Sequence, residues 1–362
     1  MKAKILTTVL VLLCLAPTRG QDFPGESWQY NRGGDPGQWD AEALKEFNQY
    51  IVDSTHVTGL VIIHKGEIIH RFGDIVENSY IASCRKSVMA MLYGKYVEDG
   101  TIDLDKTVGD LKIDDVDGIL PQEKKATVQE IISARSGIYH KEGYPGGMQQ
   151  YAPPRGSVEH GSYWLYSNWD FNVAGYIFEK ETGKDIYDEL EAQIALPLNM
   201  EDWDRGLQEK SGDTTISKYL AYPMWFSTRD MARIGQLMLH QGNWNGKQLI
   251  SKNWVKEMLK ERTNYKEVNT NVPAFRGSGV NVGYGYMWWL FQDMEDPRFK
   301  GGYSAWGAWG QGITVYPAID VVLAFKTKNI YRRRNSRKVR LDILKKVPMI
   351  YTGTVKEISD EP

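Results

Sequence analysis

Cysteine is nearly missing: the 362 residues contain two, Cys14 and Cys84. Cys14 falls inside an N-terminal leader, so the processed chain keeps Cys84 alone. That excludes an intramolecular disulfide and leaves the fold to rest on a sizeable apolar core. Net charge is nearly missing as well, at −2, and no basic footprint for nucleic acid is present. Metal-ligand spacing is missing too. The six histidines (His56, His64, His70, His140, His160 and His240) form no HExxH or similar pattern, and no second cysteine joins Cys84. The segment IDDVDG imitates a calcium loop, but its Gly118 would put Ile113 at the first ligand position, so the pattern fails. GAWGQG has glycines in the wrong order for a dinucleotide or phosphate loop, with no helix after it. Metal: none, and cofactor: none, are the expectations.

Long hydrophobic runs are confined to the start. Lys2 and Lys4 precede ILTTVLVLLCLA, and Thr18 and Gly20 place small residues at −3 and −1 of a cleavage site. This reads as a signal peptide over residues 1–20, too short for a stable membrane span. Acylation of Cys14 is disfavoured because Leu13 is not the small residue such a site wants. The protein is expected to be exported, periplasmic or secreted, with no stable membrane span once the leader is removed.

What is present reads as one large domain. Residues 21–38 form an irregular lead-in, 39–350 the domain, and 351–362 a tail. Asp40 caps a helix with Ala43, Leu44, Phe47 and Ile51 on one face. GLVIIHKGEIIHRFG is a hairpin about Lys65 and Gly66. Helices are expected from Cys84 to Glu98, Thr127 to Ala134, Asp170 to Thr182, Thr228 to Gln241, Lys252 to Arg262 and Arg337 to Lys346. KEGYPGGMQQYAPPRGSVEHG and NYKEVNTNVPAFRGSGVNVGYG read as loops, and GQGITVYP and DVVLAFKTKN as strands. The fold class is α/β (α+β): an antiparallel sheet built from both chain ends, flanked by helices. An all-helical subdomain lies at roughly 100–300, with a cleft where the two meet.

Three elements carry chemistry. In YIASCRKSVMAM, Ser83 and Lys86 make the only Ser-x-x-Lys of the chain. Ser83 sits where a helix N-cap belongs, yet Arg85 and Lys86 occupy the first turn, where cations oppose the helix dipole. The i, i+3 spacing puts the Lys86 amine on the face of Ser83. Burial, the helix N-terminus and Arg85 all push that amine toward its neutral, proton-accepting form. The second element is Tyr166, Ser167 and Asn168, on a loop before a helix with Asp170 or Asn168 as cap. The third is GGYSAWGAWGQGI, whose glycines allow close backbone approach before a strand. A lipase-type elbow is absent, since GYSAWG has Trp306 where the last glycine belongs. A Cys84–His140 thiol site is disfavoured against a small buried residue at a helix start.

In this order the three elements resemble the serine hydrolases related to class C β-lactamases and penicillin-binding proteins, over roughly residues 40 to 345. The resemblance implies a β-lactamase/transpeptidase-like fold, with Ser83 as acylated nucleophile and Lys86 sharing its proton. It implies Tyr166 as general base and later acid, anionic or strongly hydrogen-bonded by the lysine, and Asn168 orienting Lys86 and the substrate. The backbone N–H groups of Ser83 and Ala308 would form the oxyanion hole. The departure is Ala305, Trp306 and Gly307 in place of Lys-Thr-Gly or His-x-Gly. The cation and hydroxyl that hold a substrate carboxylate in many relatives are gone.

Esterase-like action on a small-molecule ester or amide is therefore favoured over β-lactamase or D-amino-acid peptidase/carboxypeptidase action on a cell-envelope peptide. Trp306, Trp309, Trp164 and Trp169 would line an aromatic cleft, or else fill the core. A non-hydrolytic penicillin-binding-like envelope binding protein is the reading from another class. The run from Tyr331 to Arg340, with Arg332, Arg333 and Arg334, reads as a solvated helix face and its approach. Nothing in the sequence sets an oligomeric state.

Overall fold

The β-branched runs on either side of Lys65 and Gly66 pair as β1 (Gly59–His64) and β2 (Glu67–Gly73). Both turn residues take positive φ, 48° and 75°, as a two-residue turn of this hand requires. The protein is seen in a computed structural model that describes residues 23–277, 279–328 and 333–358. The leader with Cys14, and Arg332 of the basic run, lie outside the described residues.

The remaining strands are β3 (Ser79–Tyr80), β4 (Trp225–Phe226), β5 (Asn243–Trp244), β6 (Lys247–Gln248), β7 (Val282–Tyr284), β8 (Trp289–Phe291), β9 (Tyr303–Gly307), β10 (Gln311–Tyr316) and β11 (Val321–Lys326). Seven strands make one antiparallel sheet in the order β2-β1-β11-β10-β9-β8-β7. The two chain ends meet one strand in from the β2 edge, where β1 pairs with β11 from Gly59↔Lys326 to His64↔Val321. β1, β10 and β11 are buried at every residue, as expected for strands covered on both faces. β3 and β4 form a separate two-stranded ribbon.

The helices are α1 (Ala41–Ser54), α2 (Cys84–Glu98), α3 (Val128–Ile132), α4 (Asn168–Thr182), α5 (Ile186–Leu190), α6 (Thr228–Leu239), α7 (Lys252–Leu259), α8 (Tyr265–Asn271) and α9 (Arg337–Ile350). Asp40 does cap α1, accepting from the N–H groups of Glu42 and Ala43. α6 lies on one sheet face, with Gly235 against Val322 and Ile313. On the other face the Tyr316 hydroxyl donates to the Leu344 carbonyl of α9 at 2.7 Å. α2 is buried almost all round, packed between β9 and the helices α4 and α7. Among the described residues no helix is long and apolar enough to cross a membrane.

The sheet built from both chain ends stands as expected. Two segments differ. The stretch 264–285 read as loop contains α8 and the edge strand β7. Both are short, seven and three residues long, too brief to show a clear hydrophobic period. The cap of α4 is Ser167, whose Oγ accepts from the Asp170 N–H, so neither Asp170 nor Asn168 caps it. Asp170 instead accepts from the Ser136 hydroxyl at 2.7 Å.

Candidate active site

α2 begins at an elbow. Ala82 takes φ +51°, a region L-residues enter at a cost of about 1–2 kcal/mol. Ser83 follows with helical angles, φ −74° and ψ −7°, and makes no capping side-chain bond. The expected cap role is therefore not filled. A capping side chain works from extended φ/ψ, and the elbow has already turned Ser83 into the helix. Its hydroxyl is left for the site. Ser83 is half-buried, while its neighbours Ala82, Cys84, Arg85 and Lys86 are buried.

The Lys86 amine is the hub. Nζ lies 3.1 Å from Ser83 Oγ, 2.9 Å from the Tyr166 hydroxyl, and donates to Asn168 Oδ1. α2 and the start of α4 thus bring Ser83, Lys86, Tyr166 and Asn168 together. Burial, then the like charge of Arg85, hold the amine well below the usual lysine range. Burial pushes the Tyr166 hydroxyl up. Of the two expected states of Tyr166, the neutral, hydrogen-bonded one fits this environment, because burial penalises a phenolate. Lys86 stands over the rings of Tyr166 and Phe171, at 4.2 and 4.4 Å from their centroids.

Glu142 had no signature in the sequence. Its carboxylate accepts from the backbone N–H groups of Gly146 (2.9 Å), Gly147 (3.0 Å) and Asn168 (3.1 Å). This ties the KEGYPGG loop to the first residue of α4. The Asn168 Nδ2 donates to the Tyr144 carbonyl of the same loop at 3.2 Å. Asn168 is thereby clamped at both ends of its side chain.

The third element arrives on β9. A Cβ on Gly307 would fall 2.6 Å from the Ile81 carbonyl oxygen, so only glycine lets β9 lie this close to the elbow. Cys84 Sγ donates to the Ala305 carbonyl from below at 3.5 Å, and burial pushes that thiol up to about 12, an inert group. Ala308 is exposed in the turn just past Gly307. Among the described residues no acceptor takes up the backbone N–H of Ser83 or of Ala308. A hydroxyl on a proton-accepting amine can serve as an attacking oxygen, and an unengaged backbone N–H can stabilise an oxyanion.

Of the two readings of the four tryptophans, cleft wall or core, core holds for three. Trp164 and Trp169 are fully buried and Trp306 nearly so. Trp169 donates to Asp115 at 2.7 Å. Trp306 stacks on Trp289 at 4.9 Å, which stacks on Tyr166 at 5.5 Å, so these rings are the packed wall behind the tyrosine. Trp309 alone of the four is half-exposed.

The basic run is exposed at Arg333, Arg334 and Lys338, as expected, but Arg337 and Arg340 are half-buried. Arg337 lies over Phe275 at 4.3 Å. The Arg340 guanidinium lies over Trp306 at 4.8 Å and donates to the Gly307 carbonyl at 3.0 Å. Aromatic faces draw these cations inward from α9. A cation does stand beside the third element, supplied from a helix rather than by the strand.

Comparison with known proteins agrees with this architecture. The simvastatin synthase LovD from Aspergillus terreus superposes with a TM-score of 0.64 at 16% identity, covering 86% of this chain and 98% of that one. EstCE1, described as a hydrolase with promiscuous acyltransferase activity, gives 0.60 at 15%, covering 85% and 98%. A penicillin-binding protein homolog from Caulobacter crescentus gives 0.58 at 15%, covering 83% and 95%. At these identities the likeness is one of fold. A family model described as Beta-lactamase matches residues 60–343, a span that includes Ser83, Lys86, Glu142, Tyr166, Asn168, Gly307 and Arg340, and the chain belongs to that family of serine hydrolases.

Proposed function

We propose that the protein is an exported serine hydrolase that works through an acyl-enzyme at Ser83 on a small ester or amide, with esters favoured. The observation that carries this reading is the convergence of Ser83, Tyr166 and Asn168 on the Lys86 amine. The neutral amine takes the Ser83 proton as Oγ attacks the acyl carbon. The N–H groups of Ser83 and Ala308 receive the developing oxyanion. Tyr166 passes its proton to the leaving group and is reprotonated from Lys86, so both groups end as they began. Water then attacks the ester on Ser83, its proton leaving along the same path, and Oγ is released as the hydroxyl. Membership of a hydrolase family, and the acyl transfer named for EstCE1, support the chemistry. The leader pattern supports export.

The test is intact mass after treatment with a fluorophosphonate. A single adduct on the wild type and none on Ser83→Ala is expected; no adduct on folded wild type overturns the proposal. Turnover of 4-nitrophenyl esters, D-amino-acid amides and nitrocefin then ranks substrates. A second reading, a D-amino-acid peptidase or β-lactamase, is favoured by one observation: Arg340 beside Gly307 offers the cation that a substrate carboxylate would need. Faster turnover of carboxylate-bearing amides than of neutral esters would select it.

A further inference from the structure

We propose that the site takes a planar aryl acyl group with a polar edge, in a pocket formed by Tyr80, Trp225 and Trp309; this rests on the hydrolase reading above. The cavity, of about 260 Å³, is lined also by Asn78, Ser79 and Lys328. That volume suits one ring and its linker rather than a whole ligand. Its walls are aromatic on three sides. The Tyr80 ring centroid lies 5.6 Å from that of Trp225, inclined 43°, and 6.0 Å from that of Trp309, inclined 65°. These separations lie in the range where aromatic rings attract through offset and edge contacts, and all three residues are half-exposed.

The pocket adjoins the reacting atoms through one peptide. The Ile81 N–H donates to the Met224 carbonyl at 3.0 Å, fixing the Trp225 wall, while the Ile81 carbonyl meets Gly307, fixing the turn that carries Ala308 and Trp309. Ser83 is two residues past Ile81. The rings around Tyr166 are a different set, Phe171, Tyr284 and Trp289. A general acid must reach the leaving atom, so the leaving group belongs on the Tyr166 side. The pocket, made by none of those residues, is left for the acyl group.

Two further observations point to an occupant. Trp309 holds φ +68°, strained for a bulky residue, which orients its ring toward Tyr80 while Arg334 covers it at 4.9 Å. Ser79 is more than nine-tenths buried, and its hydroxyl and the Asn78 Oδ1 are buried without a hydrogen-bond partner. Unpaired buried polar atoms are costly, and a hydroxyl on the guest ring would satisfy them. Lys328 at the rim is paired with Glu77, so the pocket presents no free ammonium there and an anionic acyl group is not its match.

The experiment holds the 4-nitrophenyl leaving group constant and varies the acyl group: butyrate, phenylacetate and 4-hydroxyphenylacetate. Expected kcat/KM rises roughly tenfold from butyrate to phenylacetate and about threefold more for the hydroxylated ester. Butyrate equal to or better than phenylacetate overturns the aryl pocket, and no gain from the hydroxyl overturns its polar edge. Trp225→Ala and Trp309→Asn, the latter compatible with positive φ, should each bring phenylacetate to within about threefold of butyrate, and Ser79→Ala should remove the hydroxyl gain. Fluorophosphonate labelling of each variant reports whether its site is folded. An aryl preference that persists in both labelled tryptophan variants overturns the assignment. Failure of labelling in the wild type instead overturns the acyl-enzyme reading, so the two failures are distinguishable.

Discussion

Lys86 Nζ stands 2.9 Å from the Tyr166 hydroxyl, and burial moves the two groups in opposite directions, the amine down and the phenol up. Both shifts favour the uncharged form of each group. The kcat/KM profile on a base-stable amide should therefore lose activity on the acid side as Lys86 becomes protonated, at a pH below the ordinary lysine range. It should show no fall through the ordinary tyrosine range on the alkaline side. Arg85 is the like charge that helps hold the amine down. Arg85→Gln should move the acid limb to higher pH; a limb that stays put or moves down overturns the assignment. Tyr166→Phe and Lys86→Met should each cost about 10²–10⁴ in kcat while leaving a folded protein by circular dichroism.

Arg340 separates the two substrate readings. Replacing it by methionine keeps an apolar chain over Trp306 and removes the charge. If a substrate carboxylate meets this guanidinium, kcat/KM for a carboxylate-bearing D-amino-acid amide should fall about ten- to a hundredfold, the scale of a charged hydrogen bond. A neutral 4-nitrophenyl ester should change by less than about threefold. Equal losses on both substrates would mean that Arg340 holds β9 and Trp306 in place and grips nothing.

That cation marks the limit of sequence reading. The boundaries of α2, the hairpin about Lys65 and the pairing of the chain ends were legible because each rests on local periodicity or turn chemistry. So was the depressed Lys86 amine, since Arg85 is its neighbour in sequence. Glu142, Arg340 and the Tyr80–Trp225–Trp309 pocket were not legible. Each meets the site through packing between segments far apart in the chain. The cap expected at Ser83 failed for a backbone reason, the positive φ of Ala82, that an alanine gives no sign of.

Asp115, in the segment that imitated a calcium loop, is a buried hydrogen-bond centre. It accepts from the Ser217 hydroxyl (2.6 Å), the Lys218 N–H (2.7 Å) and Trp169 Nε1 (2.7 Å). Burial raises its pKa, but these donors outweigh that and hold the carboxyl below its ordinary value. Stability from this group is thus present above the unfolded carboxyl pKa and lost as pH falls through the folded one. Asp115→Ala should destabilise the protein by about 3 kcal/mol in urea unfolding at pH 7, and the gap to wild type should narrow at pH 3. A gap independent of pH would show that packing, not charge, is what the mutation removes.

The elbow at Ala82 offers the sharpest separation of stability from function. Glycine there would remove the strain of positive φ, roughly 1–2 kcal/mol. It would also add unfolded-chain entropy of about 0.4–1 kcal/mol and forfeit one buried methyl, about 0.8 kcal/mol. These effects nearly cancel, so Ala82→Gly should unfold within about 1 kcal/mol of wild type. Ser83 would then be held by a softer turn, and its hydroxyl would spend less time on the line between Lys86 and the acyl carbon. A fall in the rate of fluorophosphonate labelling and in kcat of about tenfold, at unchanged stability, is expected, since small misplacements of reacting atoms cost rate steeply. Ala82→Gly with full labelling rate and raised stability would mean that the strain serves the packing of Ile81 against β9 and not the nucleophile.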